Sequence, residues 1–450
     1  MTFLLKKLMQ FAVLFLTCAL GLCVYLNHSL YVQQQEALKE VVEHGPTSTE
    51  IRLAWAGDII CHGGLNKEAF DGTEYDYTTL MTGSARYIEN ADLALCTLET
   101  TFPDVAEYTG SPVFKSPKGL AVSMGRLGFD LVSTASEHCM DSMHAGIAET
   151  LGVLEENGLD HVGTYRSQEE RDKDHGVVVK NVNGISIAFL SYTYGTNGLS
   201  VEGFDYAVNL IYTDYLTTQS DINYTQIESD LSYARSLEPD LIAVLMHWGY
   251  EYSTTPVDYQ RVLTKYLFEQ GADLILGGHT HAPQPMEVRR VTGPDGREKT
   301  GYVCYCLGNF VSCQNDPYTN LTAVVELTLE KNLLNGDTYL KNVAYAPMFM
   351  VDLDDYGVEG ADWRYRLWDL HAAIDAYENG NDLGVINKSL YNAMLKGLED
   401  IHDIFGAEYD MFDASYAPNT EGEMPVPGMD AVTPLPPRFE EDTDPEADAY

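Results

Sequence analysis

The chain has 450 residues, enough for one large core or two smaller ones, and an ordinary 45% of them are hydrophobic. Its net charge of −41 is not ordinary. Nucleic-acid binding needs a basic footprint and is excluded, while a well-solvated protein working outside the cytoplasm is favoured.

Lys6-Lys7 precedes Leu8 to Leu26, a run without charge and about the length of a bilayer-spanning helix. Positive charge before such a run keeps the N-terminus inside and sends the bulk of the chain outside. A cleaved signal peptide is the rival reading, but the run is long for one and no small-x-small site follows it before Asn27. Residues 1–26 are therefore expected to be a cytoplasmic tip and transmembrane anchor, and residues 27–50 a polar stalk ending at Gly45-Pro46. Of the eight cysteines, Cys18 and Cys23 fall in the anchor. The others (Cys61, Cys96, Cys139, Cys304, Cys306 and Cys313) lack paired zinc-type spacing and read mostly as small core residues.

The folded body is expected to begin at Ile51. Ile51 to Ile60, Ala91 to Leu98 and Leu127 to Ala135 read as strands, and Ile147, Leu151 and Leu154 mark one face of a helix that stops at Gly158. Ile185 to Tyr192 is a strand, and Ile227, Leu231 and Ala234 mark a helix. Leu241 to Met246 is a strand running into His247, followed by a helix over Tyr259, Val262, Leu263, Tyr266 and Leu267. Leu274 to His281 reads as a buried strand that stops at two glycines. Tyr302 to Phe310 and the alternating Val325, Leu327 and Leu329 add strands. Such alternation implies an α/β fold with a mostly parallel sheet. Trp363 to Tyr377 and Val385 to Phe405 read as helices, giving a C-terminal extension over 351–406. Residues 407–450 are acidic, rich in Pro, Gly and Asp and poor in aliphatics, and are expected to form a largely disordered tail.

Strand upon strand ends in an ionisable residue: Asp58, Glu99, His138 with Asp141, His247 with Glu251, and His279 with His281. In α/β proteins that is the end where ligands bind. His279 and His281 lie two apart, and on extended chain both imidazoles share one face. Gly277 and Gly278 permit a turn, and Pro283 and Pro285 bar a helix or central strand from following. Carboxylates and imidazoles delivered in this way suit a borderline divalent metal, or a pair able to activate water and clamp a phosphate or carbonyl oxygen. Each residue also has a plainer reading: Asp58 as a turn residue, Glu99 as a solvated strand end, His138 and Asp141 as a helix-entry cap, His247 as a packed core histidine.

The series Ala-Gly-Asp58, Thr-Leu-Glu99, Glu-His138-x-x-Asp141-x-x-x-x-Gly146, His247-Trp-Gly-x-Glu251-Tyr252, Gly-His279-Thr-His281 and Tyr305-Cys-Leu-Gly-Asn-Phe310 resembles the CapA family. These are bacterial capsule-synthesis, poly-γ-glutamate-biosynthesis proteins related to calcineurin-like metallophosphoesterases. The resemblance covers about residues 51–350. It implies a four-layer α/β/β/α sandwich, a membrane-anchored domain on the outer face, and a role in making or exporting an anionic capsule polymer. One or two divalent ions (Mn, Fe or Zn) are implied, with Asp58, Glu99, His138, His247, His279 and His281 as ligands. His138 and His247 are available for proton transfer, and Glu137, Asp141, Glu251 and Asn309 brace ligands or meet substrate.

The sequence departs from the pattern in three places. Ile60 stands where a metallophosphoesterase has the His of Asp-x-His, Glu137 replaces an Asn, and Thr97 replaces another. Loss of an amide donor weakens the case for phosphoester hydrolysis, while Glu137 can add an oxygen ligand. His62, four after Asp58, is set aside because strand geometry gives no reason to expect it at the site. Lys115 and Lys118 are among few cations able to meet an anionic substrate. Two readings follow: a hydrolase of phosphoesters or γ-glutamyl amides, or a non-catalytic accessory subunit of a polymer synthase or export complex.

Overall fold

The computed structural model describes residues 7, 21–22, 24–33, 46–420 and 422–426. Most of the expected anchor (1–26), residues 34–45 of the stalk, and the tail from 427 onward lie outside the described residues. Among the described residues no helix is long and apolar enough to cross a membrane.

Strand β1 (Ser48–Ile59) sets the layering. Leu53 and Trp55 point to one face and Ala54 and Ala56 to the other, the period of two of extended chain. On one side of β1 run β2 (Leu93–Leu98), β3 (Leu131–Ser133) and β4 (Asp160–Val162), all parallel. On its other side β12 (Leu321–Asn332), β13 (Thr338–Asp352) and β14 (Tyr365–Asp369) continue antiparallel, and β11 (Asn309–Val311) pairs with the end of β1. These strands form an eight-stranded sheet.

A six-stranded sheet runs in the order β5 (Val178–Val182), β6 (Ile185–Thr193), β7 (Leu241–Trp248), β8 (Leu274–His279), β10 (Glu298–Cys306) and β9 (Gln284–Thr292). Its four central strands are parallel and both edges antiparallel.

The large side chains of the two sheets meet in one core, which includes Leu53, Trp55, Leu95, Phe189, Leu245 and Leu276. The outer face of the first sheet is covered by helices α1 (Gly119–Leu127) and α2 (Met143–Glu156), through Leu120, Met124, Ile147 and Leu151. That of the second is covered by α3 (Tyr224–Ser236) and α4 (Asp258–Glu269), through Ile227, Leu231, Leu263 and Leu267. The layers thus stack α/β/β/α. Each fully buried Leu, Ile or Phe contributes roughly 1.5–3 kcal/mol, so these cores, and not the charged surface, hold the layers together.

Several expectations are corrected. The sheets are mixed and not mostly parallel, because antiparallel strands flank each parallel set. Leu127 belongs to α1, which Gly128 ends in the left-handed region (φ +101°), so the third strand is only Leu131–Ser133. The first part of Trp363 to Tyr377 is strand: Tyr365, Leu367 and Asp369 are buried in alternation with half-buried Arg366 and Trp368. Asp369 then accepts the Ala372 amide (2.9 Å) and starts helix α5 (Leu370–Glu378), before α6 (Lys388–Phe405).

Residues 407–420 and 422–426, expected within a largely disordered tail, pack on the body. The Met411 amide donates to Tyr345 O and the Met424 amide to Leu340 O, both at 3.0 Å. Backbone pairing of this kind leaves no trace in composition.

Candidate metal centre

The C-terminal ends of parallel strands from both sheets meet at one place. Asp58 lies at the end of β1, and Gly57 before it has no room for a side chain: a Cβ there would stand 2.0 Å from Gly308 O. Asp58 Oδ2 accepts the His279 backbone amide at 2.7 Å. That close approach needs Gly278, whose Cβ would come within 2.3 Å of Asp58 Oδ1.

His279 and His281 do not converge as neighbours on straight extended chain. Both have positive φ (+94° and +59°), so the backbone turns between them and brings the ring centroids to 6.0 Å. Non-glycine residues held there are strained, and such strain persists where surrounding structure fixes a functional geometry.

Four overlapping sets of donor atoms result. Two of them are Glu99, Glu137 and His138, and Glu137, Glu251 and His281; the other two have no residue in common. Of this second pair, Asp58, Glu99 and His281 form one, and Glu137, His247 and His279 the other, with the ligating atoms of each set within 4.8 Å of one another. All six residues are buried, none more than 3% exposed. Glu99 links the sets, with its oxygens 3.8 Å from His247 Nε2 and 3.9 Å from His281 Nε2. Glu137 closes tightly on His247 Nε2 and stands 2.7 Å from His279 Nδ1.

Whether a cation fits can be judged from what these atoms lack. Asp58 Oδ1, both Glu99 oxygens, Glu137 Oε1, His247 Nδ1 and His279 Nδ1 are buried without a hydrogen-bond partner. Glu137 Oε1 and His279 Nδ1 are close but not aligned as donor and acceptor, as expected of two atoms aimed at a third. Burial raises the Asp58 carboxyl and drives Glu99 well above the carboxylate range, the latter helped by neighbouring Glu137 and Asp58. Burial would also raise Glu137, but the His247 and His279 imidazoles outweigh it and hold that carboxyl well below its usual range. Crowded carboxylates with unsatisfied oxygens beside three imidazoles form a donor set whose chemistry fits a divalent cation.

The remaining expected residues surround this centre. His281 Nδ1 donates to Asn309 Oδ1 (3.1 Å), and Asn309 Nδ2 donates in turn to Gln314 Oε1 (2.7 Å) and Thr319 O (3.3 Å). That chain fixes the amide's orientation and leaves His281 Nε2 as the nitrogen open to a ligand, 3.7 Å from Glu251 Oε1. Glu251, with its side chain 48% exposed, stands at the rim. Asn309→Ala is expected to weaken metal binding about 10–100-fold, by analogy with other outer-shell partners, as isothermal titration would read.

His138 Nδ1 meets Asp141 Oδ2 at 2.8 Å, and Asp141 also accepts the Phe114 amide. Burial alone would lower His138, but the Asp141 hydrogen bond and the Glu137, Asp141 and Glu251 carboxylates together outweigh it and raise the imidazole above its usual value. A raised histidine contributes stability that is complete below its unfolded pKa and is lost as pH rises through the folded one. Asp141→Asn in the metal-free protein is therefore expected to lower the melting temperature more below pH 6.5 than well above it. Equal losses at both would mean that the pair is not charged.

His247, expected to be available for proton transfer, is 2% exposed and faces Glu137 and Glu99. Its geometry suits a ligand, whereas His138 keeps 12% of its side chain exposed at the rim. Lys115 is half-buried and Lys118 exposed, beyond Phe114, whose ring centroid lies 4.6 Å from that of His138.

His62, set aside from sequence, packs edge-on against the same Phe114 ring at 5.0 Å. Burial pushes its imidazole down to about 4. One further ring went unnoticed in the sequence: Tyr194 lies 4.4 Å from His279, while Tyr252, the last residue of the His-Trp-Gly-x-Glu-Tyr stretch, lies 5.8 Å from His281. Tyr194 directly follows β6, so the strand-end rule that found the ligands also points to it.

A family model described as bacterial capsule synthesis protein PGA_cap matches residues 52–314, more than half of the chain. The chain is 32% identical over 206 residues to "PGA biosynthesis protein CapA" of Bacillus subtilis (strain 168), covering 46% of this chain and 48% of that protein. It is 27% identical over 322 residues to "Capsule biosynthesis protein CapA" of Bacillus anthracis, covering 69% and 71%. The match thus spans about half the length of the first relative and more of the second. Among solved structures, a novel phosphatase of Mycoplasma pneumoniae overlaps at a TM-score of 0.39 with 14% identity, over 66% of this chain and 93% of that one. The calcineurin-like phosphoesterase YfkN of Bacillus subtilis overlaps at 0.38 with 12% identity, over 67% and 90%. Overlaps of that size carry no argument about this site. The matched residues run from β1 past β11 and take in all six candidate ligands, and the chain belongs to the bacterial capsule synthesis protein family PGA_cap.

Proposed function

We propose that this chain is a membrane-anchored, extracytoplasmic protein acting in the synthesis or export of a poly-γ-glutamate-type capsule or a similar envelope polymer. In this reading it uses the strand-end site with one or two divalent ions (Mn, Fe or Zn). The observation that carries the reading is the family match over the residues that build the site. The anchor rests on the uncharged run from Leu8 to Leu26.

Asp58, Glu99 and His281 would hold one ion and Glu137, His247 and His279 a second. Bound divalent ions supply Lewis acidity toward an anionic or carbonyl oxygen. His138, with Nδ1 engaged by Asp141, keeps Nε2 as the nitrogen free to hold a proton at the rim. Tyr194 and Phe114 wall the pocket with rings that limit water. Lys115 and Lys118, in the loop beyond Phe114, would meet a polyanion in an otherwise acidic protein.

The test is deletion of the gene in a strain that carries it, with surface polymer quantified after complementation. Wild type should restore polymer and the His279→Ala/His281→Ala variant should not. Polymer unchanged by the deletion would sink the capsule reading. A metal-dependent hydrolase not tied to capsule is the second reading, favoured by the His138–Asp141 pair at the mouth of the site. A screen of phosphoesters and γ-glutamyl peptides with the metal-loaded full chain separates the two.

A further inference from the structure

Outside the matched residues the described chain holds one more set of grouped ligand atoms: His371 on α5, His402 on α6, and Asp410 beyond them. Asp410 is fully buried, and a single oxygen, Oδ2, faces His371 Nε2 at 2.7 Å and His402 Nε2 at 2.8 Å. The other oxygen, Oδ1, accepts the Phe412 amide at 3.0 Å, which fixes the carboxylate plane. Both imidazoles remain open to solvent on one side, with 22% and 21% of their side chains exposed.

We propose that His371, His402 and Asp410 form a second metal site, selective for zinc, that fastens the C-terminal segment to the body. Two imidazole nitrogens and one carboxylate oxygen, with an opening for water, make up a four-coordinate zinc donor set. Ligand atoms sharing a tetrahedral zinc at bonds of about 2.0–2.2 Å lie roughly 3.3 Å apart. The two nitrogen–oxygen separations therefore need to widen by only some tenths of an ångström, and the two nitrogens already lie within 4.8 Å of each other. Each imidazole now presents Nε2 to the carboxylate, and on binding it carries its proton on Nδ1 instead.

The surroundings are short of positive charge. Asp369 and Asp375 act on His371, and Asp413 lies close enough for both imidazoles to act on it. The Arg86 guanidinium at this corner is already paired with Asp369 at 2.5 Å and lies 5.2 Å from the Phe412 ring centroid. The three ligands come from three separate elements, so a bound ion would tie α5 and α6 to the segment whose Met411 amide pairs with Tyr345 O. A structural zinc acts in this way, its binding energy serving as folding energy.

Direct titration of the full-length protein in detergent with zinc alone tests this, comparing wild type with His371→Ala/His402→Ala. The variant should bind roughly one equivalent fewer than wild type while keeping the strand-end metal. A second measurement needs no variant: labelling of wild type with diethyl pyrocarbonate, mapped by mass spectrometry. Zinc should protect both His371 and His402 several-fold, whereas the strand-end imidazoles are buried and report separately. Equal zinc stoichiometry in the two proteins, or unprotected His371 and His402 at saturating zinc, would overturn the site and leave a hydrogen-bonded triad.

Discussion

Replacing His279 and His281 together by alanine is expected to strip the divalent ion from the strand ends, weakening binding there by more than about a hundredfold, since lesser outer-shell changes alone cost 10–100-fold. The substitution removes one imidazole from each of the two sets and leaves His247 as the last nitrogen within them. It leaves alanine at two positive-φ positions, where any side chain is strained, so the loss of metal is not offset by relief of the backbone. Glu137, held down by His247 and His279, then rises toward its neighbours Asp58 and Glu99, and the cluster takes up protons in place of metal. Elemental analysis after exposure to Mn, Fe or Zn reads the result. The only metal that should persist is zinc at His371, His402 and Asp410. Mn or Fe retained at wild-type level would mean that the ligands lie elsewhere.

Gly277→Ala and Gly278→Ala should part company, although the residues are adjacent. A Cβ on Gly277 would stand 1.9 Å from Tyr305 O and 2.8 Å from Cys304 O, atoms of the neighbouring strand. β8 pairs with β10 through Leu274–Tyr302, Ile275–Val303 and Leu276–Cys304, so the clash can be relieved only by parting two central strands. A loss above about 4 kcal/mol is expected, at the diagnostic end of single substitutions, and a urea titration would show it.

On Gly278 the Cβ meets Asp58 Oδ1 at 2.3 Å, a side-chain atom that can move away. That variant should fold, lose the Asp58–His279 amide bond, and bind metal poorly. Similar urea midpoints for both variants would mean that the β8–β10 contact is not the constraint inferred.

The sequence carried much of this site because strand-end chemistry is local. A buried strand that runs into Asp58, Glu99, His247 or His279 must deliver that side chain to the C-terminal edge, whatever its neighbours are. Chain order therefore pointed to candidate ligands, and the Gly-His-x-His and His-Trp-Gly-x-Glu-Tyr stretches showed the family. Period-two burial was legible in Val325, Leu327 and Leu329, but the same pattern in Tyr365, Leu367 and Asp369 was masked by a helix directly behind it.

Other features depended on contacts across hundreds of residues. The sequence could not show that Glu137 closes on His247, 110 positions away, or that Asp58 takes the amide of His279 across 221. Nor could it show that His62 shares Phe114 with His138, or that His371 and His402 meet one oxygen of Asp410. Residue type and strand period are properties of a short stretch, so the sequence by itself determined the α/β class, the family and most of the candidate ligand list. Sheet order, the left-handed turn between His279 and His281, the two donor sets and the packing of residues 407–426 were decided only by tertiary structure. Each depends on which strands and loops the buried cores bring side by side, and no local spacing encodes that.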